Sequence, residues 1–130
     1  QAQCEALRTA LDRADDAYKI VLIHHPPDRA LASGHRGLVD VAAVRDVLAE
    51  GCVDLVLHGH NHRASEATLA TARGTAHIIG VPSASSDGVK HELAGYGLID
   101  IDLVRKRVRL TRRAAADTDG SIQQVARLDL

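Results

Sequence analysis

The period of apolar and polar positions changes several times along the chain, and each change marks an element. Ala2, Ala6, Leu7, Ala10, Leu11 and Ala14 recur at helical spacing with Gln, Glu, Arg and Asp between them, which predicts a helix over 1–17. Lys19–Ile23 is a short apolar, β-branched run that suits a buried parallel strand. A loop rich in charge and glycine covers 28–37. Leu38, Val41, Ala42, Val44, Val47 and Leu48 then form the apolar face of a second helix over 38–50, with Gly51 as its C-terminal cap. Val53–Leu57 is a second buried-strand run. Beyond it, strands are predicted at Glu66–Ala72, Ala76–Val81, Tyr96–Leu103 and Val108–Arg113, with a further one at Ile122–Leu128. Alternation through Arg107-Val108-Arg109-Leu110-Thr111 is that of a half-exposed antiparallel strand. The fold class is therefore α/β: one βαβ unit followed by a β-rich antiparallel half, as a single domain over 1–130.

The βαβ unit carries the chemistry. Its crossover is right-handed in almost every known case, and its two strands run parallel. Their carboxyl ends therefore share one edge of the sheet, the edge where α/β proteins bind ligands. Both strands run into histidine. The first is followed by His24-His25-Pro26-Pro27, and the second by His58-Gly59-His60-Asn61-His62. Five of the eight histidines thus converge by topology alone. Neutral imidazole is a ligand for zinc, iron, manganese and nickel. Gly59 would allow the backbone to curve so that alternate histidines turn inward. Pro26 and Pro27 would hold the first loop rigid, as a preorganised site needs.

Composition narrows the rest. With 130 residues, 45% hydrophobic and 25% charged, the chain can bury one substantial core, and with two tyrosines and no Phe, Trp or Met that core is aliphatic. A net charge of -1 and no basic stripe argue against a nucleic-acid polymer as partner. No apolar run reaches the roughly 20 residues of a membrane span. Cys4 and Cys52 have no metal-ribbon or disulfide spacing and read as small apolar residues, so a cytoplasmic location is expected. His77 and His91 lie away from the two histidine runs and read as ordinary polar residues. Ser83 and Ser85 read as a turn.

The paired motifs His24-His25-Pro26-Pro27 and Gly59-His60-Asn61-His62, with the helix between them, resemble those of the calcineurin-like metallophosphoesterases. The likeness is greatest to the bacterial cyclic-nucleotide and glycerophosphodiester phosphodiesterases, and it covers roughly residues 1–100. It implies part of an α/β/β/α sandwich and hydrolysis of a small phosphoester at a dinuclear centre of divalent transition metals such as Zn, Mn or Fe. It also implies that His24 and His60 share one metal and His62 binds the other. His25 and His35 become candidates for contact with the phosphoester, with His58 and Asn61 supporting the ligands from behind.

Other motifs of that family, D-x-H, G-D and G-N-H-[DE], are absent from the chain. It resembles the carboxyl-terminal half of such a domain, and its start inside a helix fits a fragment. Three neutral imidazoles bring no charge to balance two dications, so at most one metal is expected here. A truncated sheet would leave an edge to pair with a second copy or with the missing amino-terminal half. Two readings stand: a phosphodiesterase represented by half its domain, inactive alone, or a non-catalytic metal-binding or interaction module reusing half the fold. Residue types leave the substrate open among cyclic nucleotides, glycerophosphodiesters and lipid-linked phosphates.

Overall fold

A computed structural model of the 130-residue chain describes residues 2–32, 37–105, 107–116 and 121–130. The elements in order are α1 (Ala2–Arg13), β1 (Ile20–Ile23), α2 (Val41–Glu50), β2 (Leu55–His58), β3 (Ser65–Thr71), β4 (Gly74–Gly80), β5 (Gly95–Asp102), β6 (Arg107–Ala115) and β7 (Ile122–Asp129). They form two compact units, Gln1–Asn61 with Ser65–Gly80, and His62–Ala64 with Val81–Leu130.

The first unit is a four-stranded sheet in the order β1-β2-β4-β3. β1 and β2 are parallel, with Ile20 opposite Leu55 and Ile23 opposite His58. β2 and β4 are also parallel, and β3 and β4 form an antiparallel hairpin. The hairpin closes at Gly74, whose φ of +134 excludes side chains with a Cβ at little cost. Strands expected in one antiparallel half are therefore divided between two sheets. β4 inserts beside β2 because its Ala76, Ile78 and Ile79 are buried and Ile78 belongs to the core.

That core is aliphatic, as composition required. Leu11 of α1 and Val44, Val47 and Leu48 of α2 pack with Val56, Leu69, Ala76 and Ile78. Each such side chain contributes about 1.5–3 kcal/mol when fully buried. Helix α1 stops at Arg13 rather than 17, and the next residues form turns through Ala14 N–H to Leu11 O and Ala17 N–H to Ala14 O. Helix α2 begins at Val41, with Asp40 at its amino-terminal cap position.

Gly51 is the carboxyl-terminal cap of α2, as expected, and its N–H donates to Val47 O. Gly51 has φ -71, and the left-handed residue is Cys52 at φ 49. Glycine is needed at 51 for room: a Cβ there would lie 2.5 Å from Leu11 Cδ1 and 3.0 Å from Val47 O. Lys19, only 8% exposed, donates from Nζ to Gly51 O at 2.9 Å, a cation at the negative end of the helix. Its amide N–H donates to Asp54 Oδ2 at 2.7 Å, which fixes the start of β1 against the start of β2.

The second unit is the antiparallel sheet β5-β6-β7. Val108 and Leu110 are the buried residues of β6, in the alternation read from the sequence. The register of β6 on β7 shifts between Arg112 and Arg113. No helix among the described residues is long and apolar enough to cross a membrane.

Gly51→Ala forces Leu11 and the end of α2 apart, and an overpacked core costs about 1–3 kcal/mol. Urea denaturation is expected to show that loss as a lower midpoint at unchanged slope, and an unchanged midpoint would show that α1 yields freely.

Candidate metal centre

Both histidine runs sit at the carboxyl ends of neighbouring parallel strands. The pairing of β1 with β2 continues one step past Ile23 and His58, because Gly59 N–H donates to His24 O at 3.1 Å. Beyond that bond the second strand turns sharply. His60 has φ 65 and His62 has φ 54, so two non-glycine residues hold left-handed backbone. Histidine tolerates that region better than most residues, and such strain persists where surrounding structure enforces it. Gly59, expected to supply the curve, does not adopt positive φ.

The result is a group of three imidazoles. His24, His25 and His60 each offer a ring nitrogen, and these atoms lie within 4.8 Å of one another. His24 Nε2 and His60 Nδ1 are 3.3 Å apart. Ring centroids are 4.9 Å apart for His24 and His25, 5.1 Å for His24 and His60, and 4.1 Å for His25 and His60. Three neutral nitrogens at that spacing suit one transition-metal ion with a position left for water. No carboxylate belongs to the group among the described residues, so its charge suits a single ion rather than two.

The backbone behind the group is fixed from several sides. Pro26 and Pro27 are fully buried. Arg45 of α2 donates to Pro27 O at 3.3 Å and to Asp28 Oδ2 at 2.6 Å. Asp28 Oδ1 in turn accepts the Ala30 N–H at 2.8 Å. Asn61 Nδ2 donates to Leu31 O, tying the loop after His25 to the turn that carries His60. Asn61 Oδ1 is buried and has no donor among the described residues. A buried acceptor in that state costs about 1–3 kcal/mol, so a donor arriving with a ligand would be favoured there.

His58 lies behind the turn, 4% exposed. Its Nδ1–H donates to Gly59 O at 3.1 Å, which leaves Nε2 to accept from Ser65 Oγ at 3.3 Å. The ring reaches β3 by passing over Gly80 of β4, which is paired with both His58 and Ser65. A Cβ at 80 would lie 2.6 Å from His58 Cε1 and 2.8 Å from Nε2. Burial pushes the His58 imidazole below its ordinary value of 6.5, and the bond to Gly59 O offsets part of that.

His62 lies in the other compact unit, with its ring 5.0 Å from that of His91. Sequence reading passed over His91 because it follows no strand and belongs to no spaced motif. It also passed over Ser65, whose link to His58 depends on the small residue between them. His35 lies outside the described residues.

No protein-family model and no curated protein matches the chain. Among solved structures, the chain is similar to wild-type Vps29 from Entamoeba histolytica complexed with Zn2+, at 20% identity and a TM-score of 0.50, over 74% of this chain and 51% of that one. It is similar to a double mutant of the same protein at 21% identity and a TM-score of 0.51, over 77% and 53%. The chain spans about half the length of these structures. At this identity the likeness carries the fold alone, a mixed α/β arrangement with one parallel-containing sheet and one antiparallel sheet.

Two outcomes follow from His58. The unfolded chain takes up a proton near pH 6.5 while the folded chain resists it to a lower pH. The stability that His58 contributes is therefore complete above 6.5 and drains as pH falls through the lower folded value. Urea unfolding of the metal-free chain at pH 8, 6.5 and 5 is expected to show this decline, and His58→Gln to flatten it; equal slopes in both proteins would assign the decline elsewhere. Gly80→Ala displaces the His58 ring and is expected to cost about 1–3 kcal/mol by the same measurement.

Proposed function

We propose that the chain is the metal-binding portion of a metal-dependent phosphoesterase, acting on a small phosphodiester, with His24, His25 and His60 as the ligands of one divalent ion. The observation that carries this reading is the convergence of three imidazole nitrogens at the carboxyl ends of two parallel strands. The Zn2+ bound by the similar Vps29 structure supports zinc as the ion. A bound ion of this kind lowers the pKa of a water and polarises a phosphoryl oxygen.

The chain's own residues position that chemistry. The β1–β2 register sets the spacing of His24 and His60. Arg45, Asp28 and the buried prolines hold the loop that carries His25. Asn61 Oδ1 offers an acceptor to whatever enters. His25 shares the ligand group with the other two, so it serves as a ligand in this reading rather than facing the phosphate. His62 belongs to a second ion, as the family resemblance implies.

A second reading, a metal-binding or interaction module without catalysis, is favoured by one observation: the group holds no carboxylate among the described residues. The exposed edge strand β1 fits either reading. Leu22 is 78% exposed and Ile20 43%, and they lie on one face of a strand whose outer edge has no partner among the described residues. Such edges pair with other chains. A second copy, or the segment that completes the sheet, would cover it.

Elemental analysis after zinc loading and gel filtration is expected to give an equivalent of metal that His60→Ala loses with its circular dichroism unchanged. In the complete protein His60→Ala is expected to abolish hydrolysis of bis(p-nitrophenyl) phosphate. Undiminished turnover in that variant would remove the catalytic reading, and undiminished metal would remove the site. At high concentration the isolated chain is expected to sediment as a dimer, and a monodisperse monomer would count against pairing through β1.

A further inference from the structure

The unit that carries the three-stranded sheet holds a cavity of about 200 Å³, lined by residues of that unit. Val81, Pro82 and Leu93 form apolar walls, and each is half-buried, so it keeps accessible surface. Tyr96, 42% exposed, and Val125, 59% exposed, complete the apolar lining nearer to solvent.

The strands explain why the space exists. Arg112 pairs with Ala126 and Arg113 with Gln124, so Val125 is an extra residue that makes a bulge in β7. Neighbouring strand residues ordinarily face opposite ways, yet Arg112 and Arg113 both line the cavity, because the bulge adds twist at this end of the sheet. Opposite them, β5 carries glycine at 95 and 97, paired with Ala114 and Arg112. A Cβ at 95 would lie 3.4 Å from Pro82 Cγ, and one at 97 would lie 3.8 Å from Val81 Cγ1. With glycine at both positions, β5 sends no side chain toward these walls.

The loop that supplies Leu93 is closed. Ala94 N–H donates to Ser86 O at 2.9 Å, Gly95 N–H to Ser83 O at 3.3 Å, and Asp87 forms a bridge with Leu93. Gly88, at φ +80, leaves room for Leu93, since a Cβ there would lie 2.6 Å from Leu93 Cδ2. The wall is therefore formed before any ligand arrives.

Charge narrows the ligand. Arg112 is half-buried and Arg113 exposed, so one small cavity has a guanidinium inside and another at its mouth. Glu92 adds one carboxylate, whose Oε2 accepts the Ala64 N–H at 2.7 Å. Two cations and one anion leave a single positive charge in excess. A guanidinium fork matches a carboxylate in shape as well as in charge.

We propose that this cavity binds a small apolar monocarboxylate, with its hydrocarbon part between Pro82, Leu93 and Tyr96 and its carboxylate on Arg112 and Arg113. The volume is below the roughly 300 Å³ at which drug-sized ligands begin to fit, so the ligand has about ten non-hydrogen atoms. The proposal goes beyond the phosphoester reading and does not depend on it, since no histidine lines the cavity among the described residues.

Tyrosine fluorescence tests it. The chain has two tyrosines and no Trp, so Tyr18→Phe leaves Tyr96 as the reporter. The full chain with that substitution, treated with a chelator so that no carboxylate binds through a metal, is titrated with cyclohexanecarboxylate. A saturable change in Tyr96 emission is expected. Cyclohexylmethanol, the same body without the charge, is expected to bind at least tenfold more weakly. Arg112→Gln and Arg113→Gln are each expected to weaken the carboxylate about tenfold, the loss of one charged hydrogen bond. Arg113 is exposed, so its variant is expected to keep the circular dichroism of the parent. No saturable change with the carboxylate overturns the proposal, as does equal binding of the alcohol or a titration that Arg113→Gln leaves unmoved. Loss of the metal-centre reading through His60→Ala would leave this titration as it is.

Discussion

Parallel pairing of β1 with β2 is the constraint on which the candidate metal centre depends. Register places Ile23 opposite His58, and one further bond, Gly59 N–H to His24 O, carries the pairing past the strand ends. With the strands paired this way, the residues after each strand have little choice but to meet. A one-residue slip would turn His24 and His60 to opposite faces of the sheet. The register itself is set at the other end, where Lys19 N–H meets Asp54 and the Lys19 ammonium meets the last turn of α2. A buried lysine far from the histidines thus helps to fix their spacing.

Around that ladder the fold uses small residues where rings or helices must pass. Gly51 admits Leu11, and Gly80 admits the His58 ring on its way to Ser65. Backbone strain is placed at His60 and His62 rather than at the glycine between His58 and His60. The left-handed positions aim these side chains away from the strand direction, one toward the first group and one toward His91. A fold that stores strain at two histidines in a five-residue stretch is spending stability on their orientation.

The charge of the histidine group limits its chemistry: three neutral nitrogens suit a single ion with water. The similar zinc-bound structure shares the fold over about half its own length.

Hydrophobic period was enough to locate two helices and seven strands to within a few residues, because the helices, the first sheet and β6 turn a stripe or an alternate face to aliphatic neighbours. The convergence of His24 and His60 was also legible, since right-handed βαβ topology fixes which strand ends are neighbours. Local signals failed where a partner distant in sequence decides. The pairing of β4 with β2 rather than within an antiparallel half follows from burial of Ile78, which no window around β4 reveals. The demand for glycine at 51 and 80 comes from Leu11, His58 and Ser65, and the left-handed backbone falls on His60 and His62 rather than on Gly59. His91 reaches His62 only through loop closure between Ser83 and Gly95. The sequence by itself determined the elements and the meeting of the first two histidine runs, through period and chirality. Tertiary structure alone decided which residues touch across strands and loops, because those contacts are chosen by packing and hydrogen-bond partners far apart along the chain.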